Sequence, residues 1–245
     1  MFKFRDLTIV DIMPELRMVI SCDSSGGIGN KEGDVVKVDP EIIGYFTTHV
    51  AMMELIAVGA TPISIINTLG VEMDDTGQRI INGINRAIEP LNMKENIMIT
   101  GSTEENIPIC QTSMGITIIG LMDKTKWRIK KASKEDLIVV LGIPKVGNEL
   151  AQDMNDVASL KLLLELIKNP RIKDALPVGS KGIAYEVEVM ADTNDLRYEL
   201  VNNPCIDLHK SAGPATCIII AIDKDEYENL KNVVNIPVNC IGKFI

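Results

Sequence analysis

Apolar positions along the chain fall into short runs, and their spacing changes from one run to the next. Arg17 to Cys22 reads as a strand, as do the Ile-rich stretch Pro62 to Val71 and the runs Ile97 to Thr100 and Met114 to Met122. Between the first two, Ile42, Phe46, Val50, Met53 and Ala57 recur every three or four residues, the period of a helix with one apolar face. Asp39-Pro40 supplies an N-cap followed by Pro at the first helical position, and Gly59 supplies the stop. Val35 to Val38 is extended, and a second helix is expected over Ile80, Ile81, Ile84, Ala87 and Ile88, ending before Pro90. The order strand, helix, strand, helix, strand, strand predicts an α+β domain with its helices on one face of a sheet.

Between Asp123 and Asp136 the pattern breaks into a basic run, Lys124, Lys126, Arg128, Lys130, Lys131 and Lys134. A solvated connector is the plain reading and a phosphate-attracting rim the sharper one. The boundary is placed here, giving domains of 1–125 and 126–245. The second half predicts strands at Leu137 to Gly142, Cys217 to Asp223 and Val238 to Phe244. It also predicts a helix over Val157 to Lys168 capped by Asn155 or Asp156, a helix opened by Gly179-Ser-Lys-Gly182, and a short helix at Tyr227 to Lys231.

Composition narrows the function classes. Ile occupies 35 of 245 positions against nine aromatic residues, so the core is aliphatic and platforms for stacking bare bases are scarce. With 25 basic and 34 acidic residues the net charge is −9, which argues against a general nucleic-acid or membrane-surface binder. No apolar run approaches the length that spans a bilayer, and the N-terminus lacks the order of a signal peptide. The expected location is the cytoplasm.

The five cysteines, Cys22, Cys110, Cys205, Cys217 and Cys240, form no CxxC pair, and the only histidines are His49 and His209. A multi-histidine metal centre is excluded and a Ser/His/Asp triad disfavoured. Any chemistry then falls to carboxylates, lysine, backbone N–H groups and Mg²⁺. Three segments carry such groups. Asp23-Ser-Ser-Gly-Gly-Ile-Gly-Asn-Lys31 has glycines able to turn backbone N–H groups toward an anion, a lysine beside them, and Asp23 and Asp34 as oxygen donors. Glu54 sits between Met53 and Leu55 on an apolar helix, where a carboxylate needs a partner or solvent. Thr100-Gly-Ser-Thr-Glu-Glu105 joins a strand end to hydroxyl and acidic residues.

Taken together and in order, these segments resemble a known superfamily. Ser25-Gly-Gly-Ile-Gly-Asn-Lys31 resembles the (T/S)DGVGTK loop of aminoimidazole ribonucleotide (AIR) synthetase, and Met53 to Pro62 resembles the superfamily's NDI…GA.P helix end. Gly101-Ser-Thr-Glu-Glu105 resembles its GGETAE or GGDT turn. Gly179-Ser-Lys-Gly182, Ser211-Ala-Gly-Pro-Ala-Thr216 and Ile241-Gly242 are similar to its C-terminal domain. The superfamily also includes thiamine-monophosphate kinase, selenophosphate synthetase and the hydrogenase-maturation dehydratase.

The resemblance implies an N-terminal domain that binds ATP with Mg²⁺ and forms a barrel across a homodimer, followed by a shortened C-terminal α/β domain. It implies nucleotide contacts from Ser25, Gly26, Gly27, Gly29, Asn30, Lys31, Gly101, Ser102 and Thr103, and metal ligands Asp23, Asp34, Glu54 and Glu105. Lys31 and Asp23 take the catalytic roles. Three departures bear on this: Gly26 stands where the synthetase loop has Asp, Glu54 replaces the usual Asp, and Ser102 replaces an acidic residue. The implied activity is an ATP-dependent small-molecule kinase. Length and loop are most similar to the α-ribazole kinases of cobalamin salvage, whose substrate is nucleoside-like. The alternatives are an ATP-dependent ligase or dehydratase of the same superfamily and a non-catalytic nucleotide-binding protein.

Overall fold

A computed structural model of the chain describes residues 1–92, 94–126 and 131–245. Arg128 and Lys130 of the basic run therefore lie outside the described residues. The chain divides into two compact units, one made of Met1–Ile56 and Ala60–Lys126 and the other of the rest.

The first unit is built on a six-stranded sheet. Its strands are β1 (Phe2–Phe4), β2 (Leu7–Met13), β3 (Leu16–Gly26), β6 (Thr61–Leu69), β7 (Met98–Ser102) and β8 (Ser113–Asp123), in the spatial order β1-β2-β3-β8-β6-β7. A small parallel pair, β4 (Ile28–Gly29) and β5 (Val36–Lys37), brackets the loop that follows β3. Only β6 and β7 are parallel within the large sheet, and α2 (Gln78–Ile88) lies in the connection between them. That placement follows the rule that parallel neighbours need a crossover connection.

One face of this sheet is buried and the other is not. Val19, Ser21, Ile65, Leu69, Ile116, Ile118 and Met122 point to the buried face. There α1 (Pro40–Ala57) lies across them, with the Ser21 hydroxyl donating to the Ala51 carbonyl at 2.8 Å and Leu55 filling the space over Gly120. Residues on the opposite face, including Val10, Met18, Ile20, Ile66, Ile119 and Leu121, are only half-buried although they are apolar. The expectation of helices on one face of a sheet is thus met within this unit. Strands β1 and β2 leave little pattern in the sequence, because most of their residues are exposed.

The second unit holds five antiparallel strands in the order β10 (Ile172–Pro177), β12 (Cys217–Ile222), β9 (Leu137–Gly142), β13 (Val238–Phe244) and β11 (Tyr198–Leu200). All six residues of β12 are buried, as expected for a strand covered on both faces. Its Cys217, Ile219 and Ala221 join Ile183, Val187 and Met190 of α5 (Ile183–Thr193) in one core. The short helices α3 (Asn148–Gln152), α4 (Leu160–Leu166) and α6 (Tyr227–Val233) complete the unit, with a groove of about 380 Å³ between α4 and α6. Neither Asn155 nor Asp156 caps α4. The cap is Ser159, whose Oγ accepts from the Leu162 N–H at 3.1 Å, so the helix starts later than the apolar pattern suggests. Among the described residues, no helix is long and apolar enough to cross a membrane.

Candidate active site

Two of the three sequence segments, Asp23–Lys31 and Thr100–Glu105, meet at one end of the six-stranded sheet. Strand β3 does not stop at Cys22: Asp23, Ser24, Ser25 and Gly26 continue it, paired with Ile116, Gly115, Met114 and Ser113 of β8. On the other side of β8, Asn67 and Thr68 of β6 lie beside the same residues and are flanked by Gly101 and Ser102 of β7. Asp23, Ile116, Asn67 and Gly101 therefore form one row on the buried face, and Ser24, Gly115, Thr68 and Ser102 the next row on the open face. At roughly 4.8 Å per strand, β3 and β7 stand about 14 Å apart here, within the span of a nucleoside triphosphate. Gly101 has no room for a side chain, because a Cβ would sit 2.3 Å from the Asn67 Oδ1.

The loop after β3 is tied down rather than loose. Gly27 N–H donates to the Thr112 carbonyl at 2.9 Å, Gly33 N–H to the Cys110 carbonyl at 2.8 Å, and Val35 N–H to the Gly27 carbonyl at 2.7 Å. The buried Asp34 carboxylate accepts from the Thr112 N–H and the Thr112 hydroxyl, both at 2.7 Å, and from the Lys31 N–H at 2.9 Å. A Cβ on Gly29 would lie 2.3 Å from the Thr112 Oγ1 and 2.6 Å from the Asp34 Oδ2, so this glycine makes room for that pair. Both Asp34 oxygens are thus engaged by the protein. Asp34 thus anchors the loop by its own hydrogen bonds. The N–H groups of Gly27, Lys31, Gly33 and Val35 are used internally, which shifts the neutralising of an anion from backbone to side chain.

Lys31 supplies that side chain. Its ammonium is 2.7 Å from Glu72 Oε2, and Glu72 Oε1 accepts from the Thr76 hydroxyl. Burial would push the Glu72 carboxyl up, but the bonds from Lys31, from Thr76 and from its own backbone N–H overcome this and hold it below the usual range. Lys37 lies alongside, its ammonium donating to the carbonyls of Lys31 and Glu32 at 2.5 and 3.0 Å.

Asp23 is half-buried at the end of β3, and burial pushes its carboxyl up to about 6, with the Ser24 backbone N–H offsetting part of the effect. Glu105 Oε1 accepts from the Met73 N–H at 2.9 Å and the Thr103 hydroxyl at 2.7 Å, linking the loop after β7 to the segment after β6. Glu54 is half-buried on α1, between Ala51 and Leu55, and so lies down the sheet from the Lys31 loop. Among the described residues no group of three Asp, Glu, His or Cys side chains is placed to hold a metal ion, so the four expected ligands do not converge. The donor set still fits Mg²⁺ in its common mode, in which one or two carboxylates share the ion with phosphate oxygens and water.

Glu72, Thr76, Thr112 and Lys37 escaped the sequence reading. The signal for Glu72 was a carboxylate just after an Ile-rich strand. With the strand read through to Val71, the end facing the loop was misplaced by two residues.

Residues 5–122 match the family model described as AIR synthase related protein, N-terminal domain. The first unit is therefore an AIR synthase related domain. Solved structures with the same fold extend over both units. The thiamine-monophosphate kinase of Stenotrophomonas maltophilia is 13% identical with a TM-score of 0.66, covering 98% of this chain and 89% of its own. AaThiL complexed with AMPPCP and TMP is 14% identical with a TM-score of 0.63, covering 98% and 84%. T. maritima PurL complexed with ADP is 13% identical with a TM-score of 0.67, and all of this chain aligns with 42% of it. A comparison with curated proteins finds no match.

Proposed function

We propose that the protein is an ATP- and Mg²⁺-dependent kinase that phosphorylates a hydroxyl of a small, nucleoside-like molecule, with the 5′-hydroxyl of α-ribazole as the substrate to test first. The observation that carries this reading is the placement of Lys31. Its ammonium is fixed at the sheet end where the Ser25–Gly26 and Gly101–Ser102 strand ends both lie, with β8 and β6 between them. Phosphoryl transfer asks a protein mainly for positioning and charge neutralisation. Lys31 supplies charge against the phosphates, and Ser25, Asn30, Ser102 and Thr103 supply polar contacts around them. Asp23 is the carboxylate best placed to share a phosphate-bound Mg²⁺ or to accept the proton of the attacking hydroxyl. In the transfer the acceptor oxygen bonds to the γ-phosphorus, the bond to the ADP oxygen breaks, and the hydroxyl proton passes to a carboxylate. AaThiL in complex with AMPPCP and TMP shares the fold and supports the reading.

The test is incubation with γ-labelled ATP, Mg²⁺ and a panel of nucleosides including α-ribazole. Label on the nucleoside supports a kinase, whereas release of inorganic phosphate alone supports the ligase or dehydratase reading. A non-catalytic nucleotide-binding protein is favoured by Gly26 and Ser102, which leave no converged carboxylates, and it would bind ATP without consuming it.

A further inference from the structure

We infer that Glu72 is the positioning residue for Lys31: it holds the lysine's ammonium in the place where phosphate oxygens are to be met. This rests on the proposed nucleotide site and adds a residue that the superfamily resemblance did not supply. Lys31 and Glu72 are 41 residues apart and stand on different segments, one after β3 and the other after β6, with β8 between the two strands. Each end of the pair is fixed separately. The Lys31 N–H is bonded to Asp34, and the Lys31 carbonyl accepts from Lys37. On the other side the buried Thr76 donates its hydroxyl to the second Glu72 oxygen.

A lysine stem has four rotatable carbons, and an unrestrained ammonium would sweep a wide volume. Here it is confined, its side chain only 16% exposed. An ammonium carries three donors, and the bond to Glu72 Oε2 uses one, which leaves two to meet phosphate oxygens. A simpler role for Glu72, that of a counter-charge competing with phosphate, makes the opposite prediction about affinity. Removing a negative charge beside a phosphate site tightens binding of the nucleotide on Coulombic grounds alone. Removing a positioning residue weakens it.

The experiment measures the dissociation constant of ATP with Mg²⁺, by calorimetry at low salt, for the wild-type protein and three variants. Glu72→Ala is expected to bind about ten-fold more weakly, the scale of one hydrogen bond to a charged group. Thr76→Val changes no charge and is expected to weaken binding a few-fold, because it frees Glu72 to turn. Glu72→Gln keeps an acceptor oxygen for Lys31 and is expected to retain most of the affinity, which also covers the case in which Glu72→Ala fails to fold. Tighter binding in Glu72→Ala or Glu72→Gln, or no change in Thr76→Val, overturns the positioning role while leaving the nucleotide site standing. Absence of ATP binding to the wild-type protein overturns the nucleotide site and the positioning role together.

Discussion

Asp34 and Thr112, 78 residues apart, are joined by two hydrogen bonds, from the Thr112 N–H to Oδ1 and from its hydroxyl to Oδ2, both at 2.7 Å. Both residues are buried, and the same carboxylate receives the Lys31 N–H. Asp34→Ala leaves three donors without their acceptor, and a cost on the order of 3 kcal/mol is expected from unsatisfied buried groups. Chemical denaturation checks this. Thr112→Val should cost less, since it deletes the hydroxyl bond and spares the backbone one.

Gly29→Ala should be as harmful as Asp34→Ala, although it adds one methyl group. The new carbon would sit 2.3 Å from the Thr112 Oγ1 and must push the Asp34–Thr112 pair apart. Gly26→Ala is the control, because nothing lies within 4 Å of its Cβ position. A melting temperature lowered several degrees by the first substitution and unchanged by the second is the expected pattern.

Lys31→Ala should separate turnover from stability. Loss of one pre-organised electrostatic donor corresponds to a rate reduction of roughly a hundred-fold. The ion pair with Glu72 is partly solvated, and its loss should cost the fold no more than about 1 kcal/mol. Labelled-phosphate transfer and a urea melt on the same preparation test the two halves.

Stability should fall as pH rises from about 4 to about 6 because of Asp23. The folded protein holds this proton more tightly than the unfolded chain, so ionisation in the fold is penalised, and the loss is complete above that window. Asp23→Asn should remove this pH dependence and raise stability at pH 7, on the order of 2 kcal/mol. Denaturation midpoints between pH 4 and 7 for the two proteins provide the comparison. In the kinase reading, the same group sets the acid limb of the rate profile.

A homodimer is expected in solution. The open face of the six-stranded sheet presents Val10, Met18, Ile20, Ile66, Ile119 and Leu121, all only half-buried, and β1 and β7 leave the sheet with two edges. Continuous apolar surface of this kind is covered in stable proteins. Light scattering should give twice the chain mass, and Ile119→Lys should shift it toward the single chain.

Strands and helices built on runs of Ile and Val were legible because burial on one or both faces writes a period into the sequence. Cys217 to Ile222 and, by its helical period, the helix over Pro40 to Ala57 are cases in point. Short edge strands such as β1 and β11 bury too little to leave such a pattern. At the candidate site, local sequence singled out Asp23, Lys31 and Gly101-Ser102. It did not single out Glu72 or Thr112, whose contacts come from pairing across the sheet, and it could not show that the Asp34 carboxylate meets a threonine 78 residues away.

Strand β8 lies between β3 and β6, and it is the last strand of its sheet to leave the ribosome. Until Thr112 and the Ser113–Asp123 strand after it emerge, the loop carrying Lys31 lacks the threonine that fastens it and the two halves of the site have no common neighbour. On the proposed function, nucleotide recognition is a property acquired at one moment in synthesis. A chain ending before residue 112 should be blind to ATP however many of the site's residues it already contains.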